Sequence, residues 1–116
     1  MAKMTIAQLR EREVLRLAYY HAENPTEEDI RTAKRLMNSY YRLVGLCERV
    51  LYLSNDERTC NSRYLSELED KEDKWYHRLS KQFAEFCGCR LRYFSYFPSI
   101  IDEYDSLAIS LYFYSE

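Results

Sequence analysis

Apolar residues recur along this chain at two different periods, and the change of period divides it. From residue 5 to 22 they follow a helical stripe. Ile6, Leu9, Glu13 and Leu17 lie along it, with Val14, Ala18 and His21 beside it and Arg10, Glu11, Arg12 and Arg16 around it. Asn24-Pro25-Thr26 breaks the pattern, because proline disfavours helix in the residue before it. Thr26 is a good N-cap, and Glu27, Glu28 and Asp29 then fall where the helix dipole favours negative charge. A second helix is predicted over about 27–53 from Ile30, Ala33, Met37, Tyr40, Tyr41, Val44, Cys47 and Leu51. Leu36 and Leu43 widen its apolar arc, which predicts a central helix touching more than one neighbour. At ~1.5 Å per residue it is about 40 Å long.

Ser54-Asn55-Asp56 reads as a turn, and a third helix is predicted over about 60–87. Leu65, Leu68, Glu72, Trp75, Leu79, Phe83 and Phe86 keep three/four spacing, Glu67/Lys71 and Asp70/Lys74 are i,i+4 pairs, and Gly88 is a natural terminator. Helices two and three then form a long antiparallel αα-hairpin. Beyond Gly88 the period becomes two. Residues 90–97 and 107–114 alternate and are rich in aromatic and β-branched side chains, so they are predicted as the strands of an antiparallel hairpin, with 98–105 as the connection. The expectation is an α+β fold in a single domain over 1–116: three helices packed with a C-terminal β-hairpin.

Composition narrows the function classes. With 47% hydrophobic residues a substantial core forms, and only two glycines and two prolines leave no glycine-rich phosphate loop. A formal charge of −2 is too balanced for bulk attraction to nucleic acid or for an acidic DNA mimic. No apolar run approaches about 18 residues, so a soluble cytoplasmic protein without membrane association is expected, with its four cysteines as free thiols.

Candidate chemistry is thin. Cys47 and Cys60 flank one end of the αα-hairpin, while Cys87 and Cys89 lie at the other, with His21 near them, so a four-thiolate metal site is not expected. Cys87-Gly88-Cys89 is not the CxxC of redox motifs, and it follows a helix C-terminus, where a thiolate is disfavoured. His21 and His77 have no serine elbow or second histidine at metal-ligand spacing, and the acidic run 67–73 is interrupted by lysines. The expectation is a non-enzymatic protein without cofactor or metal.

Two surfaces are candidates for binding. Arg31, Arg35, Arg42 and Arg49 fall on one line of helix two, opposite its core arc, and suit phosphates or an acidic protein. The hairpin carries a second aromatic face, Phe94 and Tyr96 flanked by Arg90 and Arg92, joined by Tyr112 and Tyr114. Docking on helices needs only one apolar face, so the other suits a protein partner or, through strand edges, a second copy of the chain.

Twelve of the aromatics are tyrosines, in tracts at Tyr19-Tyr20, Tyr40-Tyr41, Tyr93 to Phe97 and Tyr112 to Tyr114. With its size, near-neutral charge and lack of an enzyme signature, the chain is similar in general character to small bacteriophage and mobile-element proteins, among them anti-CRISPR inhibitors. The likeness implies a protein that occludes a Cas nuclease or other bacterial defence protein. It carries no motif and transfers no functional residue.

Overall fold

The computed structural model describes residues 3–94 and 96–110. Three helices are followed by a two-stranded antiparallel sheet: α1 (Ile6–His21), α2 (Glu27–Ser54), α3 (Arg63–Cys87), β1 (Arg90–Phe94) and β2 (Phe97–Ile101).

Each helix starts where a side chain takes over an orphan backbone donor. Thr5 and Thr26 open α1 and α2 with reciprocal capping boxes, closed by Gln8 and Asp29. Ser62 Oγ accepts from the Leu65 amide at the start of α3, and Gly88 ends that helix at φ +74°.

α2 is central. It runs antiparallel to α1, as contacts from His21 to Asp29 and from Arg10 to Tyr41 show. It runs antiparallel to α3 as well, where Trp75 Nε1 donates to Ser39 Oγ at 3.1 Å. Its buried residues, from Leu43 round to Tyr41, cover about 160° of the helix at 3.6 residues per turn. Leu17, Met37, Tyr40, Leu43, Leu79, Phe83 and Ile100 form the centre of the core. Ile6, expected on the α1 stripe, is instead 64% exposed, because the first turn of α1 stays at the surface. The expected Asp70–Lys74 pair forms at 3.0 Å, whereas Glu67 pairs backwards with Arg63 at 3.4 Å.

The sheet departs from expectation in its second strand. β1 pairs with Phe97–Ile101, a segment expected mostly as the connection, in the register Phe94↔Phe97 to Arg90↔Ile101. The register leaves two residues for the turn, and one of them, Tyr96, supplies the positive φ (+74°) that such turns require. Of the segment expected as the second strand, Ile109 bridges to Ile100, and residues 111–116 lie outside the described residues. That bridge consists of reciprocal amide–carbonyl bonds of 2.9 and 2.8 Å. The chain between strand and bridge folds over as a loop.

Candidate functional site

Each edge of the hairpin is met in part by its own chain. On β1, the Leu91 amide donates to Ser80 Oγ at 3.2 Å and its carbonyl accepts from Tyr76 Oη at 2.7 Å. On β2, Ile100 is bridged to Ile109, and the Pro98 carbonyl accepts from the buried Tyr40 Oη at 2.7 Å. At Leu91 and Ile100 the outward-facing backbone groups are therefore already bonded within the chain.

The inner face docks the hairpin on the helices. Leu91 and Ile100 are buried there, and the Tyr93 ring stacks on Tyr76 with centroids 4.7 Å apart. Tyr93 Oη donates to Glu72 Oε1 at 3.1 Å, and burial together with the Glu72 charge raises its pKa. Burial pushes the Cys47 thiol up to about 12, with Glu72 adding to the shift, which disfavours its thiolate.

The outer face carries Arg90, Arg92 and Phe94 from β1, all exposed, and leads to Tyr96 at the turn. Arg92 reaches Asp105 at 3.7 Å, which holds the following loop against this face. Four of the expected contact residues thus lie along β1 and its turn. Tyr112 and Tyr114 lie outside the described residues. Tyr96 is 76% exposed and Phe94 54%, while Tyr104 in the loop, which was not expected as a contact residue, is 81% exposed.

Sequence reasoning also missed Asp102, the anchor of that loop. Its buried carboxylate accepts from Tyr20 Oη, from Ser106 Oγ and from the amides of Ser106 (2.7 Å) and Leu107 (3.4 Å). The Ser106 and Tyr20 hydroxyls hold it down at about 2, and the reciprocal bond, with burial, pushes Tyr20 up to about 12. The local signal was an aspartate four residues before a serine at a loop start, where a carboxylate commonly ties its own backbone.

Arg31, Arg35, Arg42 and Arg49 are all exposed on one face of α2, and the Arg49 guanidinium lies over the Tyr64 ring at 5.5 Å. Tyr40, about half a turn round from Arg31 at 3.6 residues per turn, points to the sheet, so the arginine face and the sheet lie on opposite sides of α2.

The cysteines and histidines sit in packing and pairing roles. Cys89 is buried, and its thiol is raised by the hydrogen bond to Cys87 and by burial, while the same bond lowers Cys87. His21 stacks on Phe86 at 4.0 Å and faces Asp29 at 3.4 Å. His77, expected near the core stripe, is exposed beside Asp73 at 3.3 Å. Among the described residues, no three of His, Cys, Asp and Glu come together as a metal-ligand set. No helix among them is long and apolar enough to cross a membrane.

No protein-family model matches the chain, and no curated protein or solved structure is significantly similar to it.

Proposed function

We propose that this protein is a non-enzymatic binding protein that covers a surface of a larger protein partner with the tip and outer face of its β-hairpin. In its specific form it is an anti-CRISPR-like inhibitor acting on a bacterial defence nuclease. One observation carries the reading: Tyr96 is held at φ +74° while 76% of its surface stays in water. A bulky residue in the left-handed region strains the backbone, and most of this ring gains nothing from packing in return. Glycine or asparagine fits the turn better, so the side chain itself is what the position supplies. Phe94 adjoins it, with Arg92 and Arg90 further down the same strand, and aromatic and arginine side chains are the usual anchors of interfaces.

The test is affinity capture from a bacterial host lysate, read by mass spectrometry, with wild type beside Y96G. Y96G relieves the strain and keeps the fold, so loss of a captured partner in Y96G reports the interface alone. Equal capture by both chains, or no partner above background, rejects the reading. For the inhibitor form, expression of the wild type should restore phage plating on a CRISPR-immune host, and Y96G should not.

A further inference from the structure

We infer that the exposed face of α2, on the far side from the hairpin, is a binding surface for the phosphate backbone of duplex nucleic acid. Arg31, Lys34, Arg35, Asn38, Ser39 and Arg42 line one shallow groove along it. At 3.6 residues per turn, Arg31, Arg35, Asn38, Arg42, Gly45 and Arg49 stay within about 40° of one line. The line is about 27 Å long at ~1.5 Å per residue. Glu27 and Glu28 end it on the N-terminal side, and Glu85 of α3 flanks the adjoining groove that Arg35 also lines.

The four cations that line the groove pair with no carboxylate among the described residues, and Arg49 beyond them lies over the Tyr64 ring. Arg16, Arg58, Arg63, Lys74 and Arg92 each have a carboxylate within 4.0 Å. Among the described residues, Arg31, Lys34, Arg35 and Arg42 have none, and Lys71, Arg78 and Lys81 of α3 are unpaired as the groove's cations are. Four unpaired cations at helical spacing form a ridge of positive potential on a chain of net charge −2.

Gly45 is the independent observation. It sits inside α2, exposed, between Arg42 and Arg49 on the same line. Glycine weakens a helix interior, and nothing inside the protein asks for it: a Cβ built there meets no atom within 4 Å. A bare stretch of helix backbone flanked by arginines admits a close approach from outside, as a sugar-phosphate strand makes. The side chains at the centre of the line are cationic, amide and hydroxyl, without an exposed aromatic ring to stack on unpaired bases. That favours a duplex gripped by its phosphates over a single strand.

The test is fluorescence anisotropy of the full chain with a labelled duplex of about 20 base pairs, DNA and RNA in separate arms. Four phosphate contacts predict a log–log salt slope of about −3.6, so affinity falls about 150-fold between 50 and 200 mM salt. The exchange R35E/R42E should abolish binding with an unchanged circular dichroism spectrum. G45L, which fills open space, should keep the fold and weaken binding about tenfold or more, while R78E/K81E on α3 stays within about threefold of wild type. Binding in either duplex arm with this pattern supports the inference. Absence of binding at 50 mM salt, equal affinity of R35E/R42E and wild type, tighter binding of the single strand, or equally tight binding of polyglutamate overturns it.

Discussion

Tyr96 at the hairpin tip and Asp102 at its base show how single side chains set local structure in this molecule. Tyr96 adopts φ +74° without the freedom that glycine has there. A left-handed residue costs roughly 1–2 kcal/mol, and glycine avoids most of it. Y96G is therefore expected to raise stability by about 1 kcal/mol, seen as a higher midpoint in urea at unchanged slope. A fall in stability means that the ring packs more than its exposure allows. Asp102 works through charge. Its folded pKa of about 2 lies below the ordinary carboxylate value, so its contribution is complete above about pH 4 and is lost as the pH falls through 2. Its donor Tyr20 is shifted the opposite way, to about 12, so its contribution is complete below pH 10 and is lost above. D102N places an amide among four donors and should lower the melting temperature at pH 7, with the gap to wild type closing between pH 4 and 2. A gap that stays constant across that range removes Asp102 from the acid limb.

At the scale of elements, the two glycines make opposite predictions. G45A fills open space in a helix interior and should stabilise the protein by about 0.8–1.0 kcal/mol. G88A also meets open space, but at φ +74°, and should destabilise it by about 1 kcal/mol through the backbone alone. Equal shifts of the two variants in urea denaturation contradict this account. The same contrast explains what was legible in the sequence. Helix signals are local: Thr26 before three acids, apolar spacing of three and four, and Gly88 after Phe86 mark α2 and α3 within a few residues. The arginine line was legible for the same reason, since helical spacing alone places it. β2 was hidden because its two punctuation marks mislead. Tyr96 makes the turn without glycine or asparagine. Pro98 lies opposite Tyr93, in a pair equivalent to Leu91↔Ile100, whose amides point away from the partner strand, so its missing N–H breaks no ladder bond. The run at 107–113 alternates more clearly and drew the strand assignment to itself. The loop anchor at Asp102 was hidden because Tyr20 lies 82 residues away in sequence.

On the scale of the whole molecule, α2 separates two surfaces. Tyr40 is fully buried and ties the sheet to the helix by its bond to the Pro98 carbonyl, whereas the arginines face the other way. Y40F keeps the ring and its packing but leaves that carbonyl without the hydroxyl. It should cost roughly 1–3 kcal/mol, the range for a buried acceptor that loses its partner. A change below a few tenths of a kcal/mol means that the bond does not hold the hairpin in place. Changes on the two surfaces, by contrast, share no partner, and sites that share none add in free energy within about 0.3–0.5 kcal/mol. The stability change of the triple variant Y96G/R35E/R42E should equal that of Y96G plus that of R35E/R42E. Binding should separate in the same way: Y96G loses the protein partner and keeps duplex affinity, and R35E/R42E loses the duplex and keeps the partner. If Y96G weakens both, the two surfaces belong to one interface and the opposed geometry across α2 does not govern recognition. If each variant loses only its own ligand, the two surfaces are separate determinants, and capture in the presence of duplex tests whether both ligands sit on the protein at once.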